Sequence, residues 1–270
     1  MRITFIGGGN MAQAIAGGLI KKGFDAQSIC AVEPLAPARE RLVGEFGVRA
    51  VATAAEAVPL GDLVVMAVKP QQMRDAAGAI KAWVTDSLVL SIAAGTRLPD
   101  LQRWLGGHTL LARCMPNTPA LVGEGITGLY CAAETTSAQR RMAVDVLQAV
   151  GQVIEVQSEA LLDPVTAVSG SGPAYVFLFI EALQTAAAEL GLSAEQARAL
   201  SIQTFTGAAR LAASSTEAVS VLRERVTSKG GTTERALASM RDDQVTQAIV
   251  RAIHPANQRA GELGDQLGKD

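Results

Sequence analysis

The chain carries the run Phe5-Ile6-Gly7-Gly8-Gly9-Asn10-Met11-Ala12, in which a short apolar strand is followed by three glycines and then by helical spacing. This order fits G-x-G-x-x-G/A, which is typical of a turn that places a helix N-terminus against a phosphate. Gly7 permits the tight turn, Gly9 lets the backbone approach a pyrophosphate, and Ala12 lets the helix lie close to the sheet. The run predicts a dinucleotide-binding unit, and a glycine turn that serves only packing is the alternative.

Strand-like and helical stretches alternate around this motif along residues 1–157. The run Leu63–Val68 is apolar without alternation, as expected of a strand covered on both faces. Such alternation implies a parallel sheet with right-handed crossovers, so the predicted fold class is α/β with a Rossmann-type doubly wound sheet. The predicted strands are Arg2–Ile6, Ser28–Val32, Val48–Val51, Asp62–Val68, Ser87–Ala93, Leu110–Cys114, Gly125–Ala132 and Val153–Val156. The predicted helices are Asn10–Lys22, Pro37–Phe46, Thr53–Leu60, Gln71–Val84, Leu98–Leu105 and Ala138–Val150.

Residues 158–270 predict an all-helical dimerisation and substrate-binding domain, because Ala, Leu, Gln and Glu dominate and no strand pattern occurs. The run Tyr175–Ile180 is apolar on all sides of a helix and must be buried on every side. A small helical domain cannot cover such a helix on every side. We therefore expect the face of the helix that the domain leaves uncovered to lie in a subunit interface. The predicted helices are Glu159–Val168, Pro173–Leu190, Ala194–Ala213, Glu217–Val226, Thr233–Met240 and Asp243–Leu267, the last kinked at Pro255.

Composition argues against several classes of function. The 270 residues include 24 Lys and Arg against 26 Asp and Glu, a net charge of −2 without a basic block, which disfavours a nucleic-acid binder. The longest uninterrupted apolar stretch, Pro173–Ile180, is shorter than the ~20 residues that span a bilayer, and we see no secretory signal pattern. Three scattered cysteines and two histidines predict neither a disulfide framework nor a metal site, and they suit a reducing, cytoplasmic location.

Glu33 follows the second predicted strand. A carboxylate at this place accepts hydrogen bonds from the adenosine ribose and repels a 2′-phosphate, which favours NADH. The alternative is a solvated loop carboxylate beside Arg39 and Arg41. The sequence therefore predicts NADPH or NADH as the coenzyme and leaves the preference open.

Polar loops follow three further strands at the carboxyl edge, where open α/β sheets bind their ligands. They are Ala67-Val68-Lys69-Pro70, Ser91-Ile92-Ala93-Ala94-Gly95-Thr96 and Cys114-Met115-Pro116-Asn117-Thr118-Pro119. Any one of them is explained by turn chemistry, but together they favour the floor of a cofactor site.

Two segments interrupt the helical pattern of the second half: Ser169-Gly170-Ser171-Gly172-Pro173 and Thr227-Ser228-Lys229-Gly230-Gly231-Thr232-Thr233. The second joins hydroxyls and glycines to the N-terminus of the next helix, which makes a cradle for a small anion such as a carboxylate. Helix capping is the alternative, but capping needs a Ser or Thr and not Gly-Gly-Thr-Thr.

These segments, in this order, resemble the pyrroline-5-carboxylate reductase family from Met1 to about Leu267. The glycine loop is shared by many reductases, whereas Ala167–Tyr175 and Val226–Thr233 look like the family's own signature. The resemblance implies NAD(P)H reduction of (S)-1-pyrroline-5-carboxylate to L-proline. It also implies a helical domain that interlocks in a homodimer, often assembled as a pentamer of dimers.

The resemblance further implies the site residues. A cyclic imine can be protonated before it binds, so hydride transfer needs no strong enzymic acid, and Thr233 is the expected catalytic contact to the ring nitrogen. For Glu159, a carboxylate in the first turn of a helix is the alternative. The implied substrate-binding residues are Glu159, Ser228, Gly230, Gly231, Thr232 and Thr233. The implied coenzyme-binding residues are Ile6, Gly7, Gly8, Gly9, Asn10, Met11, Glu33, Val68, Lys69, Pro70, Ala93, Ala94 and Asn117.

The sequence is also compatible with two other functions. One is a reductase of the same two-domain plan that acts on a different imine or on a β-hydroxy acid. The other is a sensing scaffold that binds NAD(P)H and a partner without turnover.

Overall fold

The computed structural model describes residues 1–269, which form two compact units. The first comprises Met1–Ser171 and the chain from Ala256 onward, and the second comprises Gly172–Pro255. These bounds differ from the sequence division between residues 157 and 158, because the segment after 158 packs on the sheet. Leu162 in that segment is fully buried. The functional division at 157/158 stays a prediction.

Eight strands form one sheet in the first unit: β1 (Ile3–Ile6), β2 (Ile29–Val32), β3 (Arg49–Val51), β4 (Leu63–Met66), β5 (Leu88–Ser91), β6 (Leu111–Met115), β7 (Gly125–Cys131) and β8 (Gly151–Glu155). Their order is β3-β2-β1-β4-β5-β6-β7-β8, with β1 to β6 parallel. The predicted Rossmann-type sheet is confirmed, and its order reverses between β1 and β4. Ligands of such sheets bind at the carboxyl edge near that reversal.

Strand β7 runs antiparallel to β6, and β8 runs parallel to β7. Residues 116–124 join β6 to β7, fewer than the roughly dozen residues that a parallel crossover needs. The short loop therefore lies at the carboxyl edge of β6 and returns the chain into the sheet as the antiparallel strand β7.

Helices cover both faces of this sheet. Along β4, Leu63 and Val65 belong to one apolar core cluster, whereas Val64 and Met66 belong to the other, because successive side chains point to opposite faces. All four are fully buried. The helices of the first unit are α1 (Asn10–Lys21), α2 (Ala36–Phe46), α3 (Met73–Ile80), α4 (Leu98–Trp104), α5 (Ser137–Leu147) and α6 (Leu162–Val165).

The predicted helix Thr53–Leu60 is wrong. Only a short 3₁₀ turn, Ala55–Ala57, forms there, and Val58 is extended with ψ 139°. The ring of Pro59 disfavours a helical conformation at the residue before it, so the turn cannot continue as an α-helix. The Thr53 hydroxyl bonds the Glu56 carboxylate at 2.7 Å, which further favours a turn.

The predicted helix Glu159–Val168 is a composite. A 3₁₀ turn, Glu159–Leu161, leads into the single turn of α6, and a π-helical turn follows at Thr166–Gly170. Single π turns are frequent at functional sites. We call Thr166–Gly170 the π turn below.

The second unit is all-helical, as predicted. It contains α7 (Gly172–Glu189), α8 (Ala194–Ser214), α9 (Val219–Arg225), α10 (Thr232–Asp242) and the part of α11 (Val245–Leu267) up to and including Pro255.

Helix α7 leaves its apolar side chains exposed within one chain. Phe177 is 60% exposed and Leu178 is 64% exposed. By length and composition, the helical run Glu159–Glu189 could also cross a membrane. Only 6% of its most apolar 18-residue stretch is buried within the chain. One such helix is weak support for a membrane span, because a helix that packs against another protein passes the same test. A contiguous exposed apolar surface of this kind marks an interaction site.

The hydroxyl of Thr96 is buried without a hydrogen-bond partner among the described residues. A buried polar group without a partner costs about 1–3 kcal/mol. We therefore expect Thr96→Val, which keeps the shape and removes the hydroxyl, to raise the free energy of unfolding by about 1 kcal/mol or more. Urea or thermal melts measure the change.

Thr4 supplies a matched control for this prediction. Its buried hydroxyl accepts a hydrogen bond from the Gly61 N–H at 2.9 Å, so Thr4→Val should destabilise the protein instead. If both substitutions lower the melting temperature, the Thr96 hydroxyl does have a hydrogen-bond partner in the folded protein and the prediction is wrong.

Candidate active site

A cavity of about 720 Å³ lies at the carboxyl edge of the sheet, beside the point where the strand order reverses. The glycine loop forms one wall. The other walls come from the ends of β2, β3 and β4 and from α3. Seven predicted coenzyme-binding residues line the cavity: Ile6, Gly7, Gly8, Gly9, Glu33, Val68 and Lys69.

The glycines of the loop meet different steric demands. Gly7 has φ +102°, and a Cβ there would lie 2.7 Å from the Ala67 carbonyl oxygen. A Cβ at Gly8 would lie 2.7 Å from the Leu42 side chain. A Cβ at Gly9 would meet nothing within 4 Å. The fold therefore requires glycine at 7, and a methyl group at 8 would displace the end of the Leu42 side chain. At Gly9 the fold leaves open space, which gives a ligand room to approach the backbone.

The N-terminus of α1 is also open to an anion. Gly9 is its N-cap residue and supplies no side-chain cap, and the first turn contains no acidic residue. The first-turn N–H groups and the helix dipole can thus bind a phosphate group. Gln13 Nε2 donates to the Gly8 carbonyl at 2.7 Å and holds the loop in place, a contact that the motif did not predict. These features fit the pyrophosphate of a dinucleotide.

Gly7→Ala and Gly9→Ala separate folding from coenzyme binding. The Gly7 substitution forces a strained left-handed backbone and a clash, so we expect a loss of at least about 1–2 kcal/mol of stability. The Gly9 substitution should leave the melting temperature near that of the wild type and weaken NAD(P)H binding, because its methyl group fills the open space where we expect the pyrophosphate. Thermal melts and coenzyme titration by fluorescence measure both effects. Unchanged coenzyme affinity in Gly9→Ala would contradict this assignment of the loop.

Glu33 lies directly after β2, and backbone N–H groups fix its carboxylate. Oε2 accepts from the Gly8 N–H at 2.9 Å, and Oε1 accepts from the Leu35 N–H at 2.9 Å. The nearby Arg39 donates through Nη1 to the backbone carbonyls of Glu33 and Pro34, at 2.8 and 2.6 Å. A carboxylate held by two backbone N–H groups therefore lines the cavity.

Among the described residues 1–269, the other predicted coenzyme-binding residues do not line this cavity. Asn10 opens α1 and lines a different cavity with Gln13 and Lys21. Met11 follows Asn10 in the same turn of α1. The remaining four, Pro70, Ala93, Ala94 and Asn117, lie in loops that follow β4, β5 and β6.

Glu159 is engaged by protein groups of the first unit. Its Oε1 accepts from Arg113 Nη1 at 3.0 Å and from the Leu98 N–H, at the start of α4, at 2.8 Å. Arg113 is 4% exposed, and its Nη2 lies 3.8 Å from Asp163 Oδ1. The group ties the segment after β8 to β6 and α4. Sequence reasoning missed Arg113, and the role of Glu159 toward substrate stays a prediction.

The Gly-Gly-Thr-Thr loop lies in the second unit, at the N-terminus of α10. Gly230 has φ +72°, and the Gly231 N–H donates to the Ser228 carbonyl at 3.0 Å. Gly231 is the N-cap residue without a side-chain cap, so Thr232 and Thr233 form the open first turn. The segment predicted to hold an anion is thus the N-terminus of a helix whose first turn also contains Glu234, and its role toward a substrate stays a prediction. Glu234 Oε2 accepts from the Gly230 N–H at 2.6 Å, so this one N–H already has a partner within the protein.

The cysteines offer little nucleophilic chemistry. Cys114 and Cys131 are buried, and burial raises the pKa of both thiols, that of Cys131 to about 11. Among residues 1–269, no group of three His, Cys, Asp or Glu side chains is placed to hold a metal ion.

Comparison with known proteins identifies the family. A family model described as pyrroline-5-carboxylate reductase dimerisation matches residues 159–263, and one described as NADP oxidoreductase, coenzyme F420-dependent, matches residues 2–95. The pyrroline-5-carboxylate reductase of Pseudomonas aeruginosa is 45% identical over 269 residues, which cover 99% of this chain and 98% of that protein. The chain belongs to the pyrroline-5-carboxylate reductase family.

Solved structures of this family agree in fold over nearly the whole length. A pyrroline-5-carboxylate reductase from Coxiella burnetii superposes with a TM-score of 0.93 at 40% identity, covering 97% of this chain and 98% of that chain. The pyrroline carboxylate reductase of Plasmodium falciparum, solved with NADP bound, gives a TM-score of 0.86 at 28% identity, covering 98% of each chain. The resemblance inferred from the sequence motifs is confirmed.

Proposed function

We propose that this chain catalyses the NAD(P)H-dependent reduction of (S)-1-pyrroline-5-carboxylate to L-proline, the last step of proline biosynthesis. Full-length similarity to pyrroline-5-carboxylate reductases supports the assignment. This similarity is the observation that carries the substrate assignment. The glycine-loop cavity supports the coenzyme part, because an uncapped helix N-terminus and the open side of Gly9 fit a pyrophosphate. The coenzyme supplies the hydride.

The first unit binds and orients the coenzyme. The N–H groups that begin α1 hold the pyrophosphate, and Glu33 accepts hydrogen bonds from the adenosine ribose. Val68 and Lys69 line the same cavity. Because the Glu33 carboxylate is fixed by two N–H groups and repels a 2′-phosphate, the preferred coenzyme is NADH.

The second unit binds the substrate carboxylate. The first-turn N–H groups of α10, at Thr232 and Thr233, together with the Ser228 hydroxyl, donate to the carboxylate oxygens. The Thr233 hydroxyl contacts the ring nitrogen and orients the imine. A protonated cyclic imine accepts hydride at carbon without a stronger acid, so catalysis depends mainly on orientation.

We further propose that a second copy of this chain covers the apolar surface of α7. The dimerisation model matches residues 159–263, which include α7. Large apolar side chains of α7, such as Phe177 and Leu178, are exposed in the single chain. On this proposal the protein is a homodimer. The family resemblance adds to the proposal a pentamer of dimers in the cytoplasm that binds neither a membrane nor nucleic acid. Size-exclusion chromatography with light scattering, and flotation with lipid vesicles, test these statements.

Steady-state kinetics test the activity. Purified protein is given pyrroline-5-carboxylate with NADH and with NADPH, coenzyme oxidation is followed by absorbance, and L-proline is identified as the product. A second cyclic imine and a β-hydroxy acid serve as competing substrates. Faster turnover of either one would favour a related reductase. Coenzyme binding without oxidation of any kind would favour the sensing scaffold.

A further inference from the structure

Asn117 bridges three segments of the first unit with one carboxamide. It lies two residues after β6 and is 9% exposed. Its Oδ1 accepts from the Ile126 N–H on β7 at 3.0 Å, and its Nδ2 donates to the Ser169 carbonyl in the π turn at 3.2 Å. The Asn117 backbone carbonyl accepts from the Ala120 N–H at 3.1 Å, which begins a 3₁₀ turn. The amide oxygen and the amide nitrogen thus both have partners within the protein.

The arrangement needs an amide at this position. Ile126 presents a donor and Ser169 presents an acceptor, so the bridging side chain must accept at one end and donate at the other. An ionised aspartate accepts at both ends and would place an oxygen against the Ser169 carbonyl. The π turn also packs closely here, because a Cβ at Gly170 would lie 2.7 Å from Met115 Cε.

The loop after β6 borders the reacting half of the coenzyme. In doubly wound sheets, the two halves of a dinucleotide lie on opposite sides of the point where the strand order reverses. Glu33, after β2, stands on the adenosine side. Strands β4, β5 and β6 lie on the other side of the reversal, so the loop that contains Asn117 lies on the nicotinamide side.

We propose that Asn117 is a positioning residue for hydride transfer: its carboxamide fixes the loop after β6 against β7 and the π turn, and it does not bind the coenzyme directly. The proposal rests on the function proposed above. It differs from the expectation drawn from the family resemblance, in which Asn117 contacts the coenzyme.

Asn117→Asp tests the proposal. We expect kcat with pyrroline-5-carboxylate to fall at least about tenfold, because small displacements of reacting groups cost large factors in rate. The Kd for NADH and NADPH should stay within about twofold of the wild type, because the cavity beside the glycine loop is untouched. Gln139→Ala is the matched control, since it removes a side-chain amide from the capping box of α5 and should leave kcat unchanged.

The outcomes are distinct. A fall in kcat with intact coenzyme affinity supports the proposal. An unchanged kcat, or a rise in coenzyme Kd that accounts for the whole loss of activity, overturns it. Asn117→Ser removes both bonds without the added charge and replaces the Asp variant if that one does not fold. If neither folds, Asn117 is only structural and the proposal is wrong. Absence of activity in the wild type would instead contradict the proposed function.

Discussion

Thr233→Val is expected to lower kcat/KM for pyrroline-5-carboxylate by about 10²–10³-fold, the usual loss when one donor aimed at the reacting group is removed. Thr233 lies in the first turn of α10, two residues after the N-cap Gly231. Valine keeps the shape of the side chain and removes the hydroxyl that we propose contacts the ring nitrogen. Because the coenzyme binds to the first unit, the Kd for NADH and NADPH should stay near the wild-type value.

Thr227→Val is the control for this prediction. Thr227 belongs to the same loop, but its hydroxyl donates to the Arg223 carbonyl at 2.6 Å and is committed to the helix end. The same chemical change should therefore leave kcat/KM within a few-fold of the wild type. Equal losses in the two variants would mean that the loop responds to any hydroxyl removal, and normal turnover in Thr233→Val would remove Thr233 from the mechanism.

Glu33→Gln is expected to shift the ratio of kcat/KM for NADH to kcat/KM for NADPH toward NADPH by at least about tenfold, since like charges brought together cost several kcal/mol. The wild type should prefer NADH. Glutamine is close in shape and keeps one carbonyl to accept from Gly8 or Leu35, so the loop stays near its present position. Steady-state kinetics with both coenzymes measure the ratio.

Glu40→Gln removes a carboxylate from an exposed position of α2 and serves as the charge-matched control. It should leave the coenzyme ratio unchanged. A wild-type enzyme that strongly prefers NADPH would show that the Glu33 carboxylate does not meet the ribose 2′ position. An equal shift in both variants would point to net charge and not to a specific contact.

The glycine loop could be predicted because the residues that form it are neighbours along the chain. A strand, a left-handed glycine and a helix start occupy neighbouring residues, and Gly7 needs its φ of +102° whatever lies far along the chain. The Gly-Gly-Thr-Thr segment is local as well, because the left-handed Gly230 comes directly before Gly231, the N-cap residue of α10. Thr53–Leu60 failed for the converse reason, because helix-forming composition was outweighed by a single proline at 59.

The partners of Asn117, Glu159 and Arg113 could not be predicted in the same way. Asn117 meets Ser169 across 52 positions, and Arg113 meets Glu159 across 46. Neither pair has a spacing pattern, because each contact exists only after distant elements pack together. Arg113 on β6 meets the turn after β8, and Asn117 after β6 meets the π turn. The resemblance implies ligand contacts for Asn117 and Glu159, whereas the structure shows the protein partners of each.

The sequence by itself determined the strand and helix order, the glycine loop, the Gly-Gly-Thr-Thr helix start and the family, since each depends on residues close together along the chain. Only the tertiary structure decided that β7 turns antiparallel, that backbone N–H groups fix Glu33, and that Asn117 joins a loop to a distant turn. The physical reason is that hydrogen-bond partners of buried polar groups are set by which elements pack together.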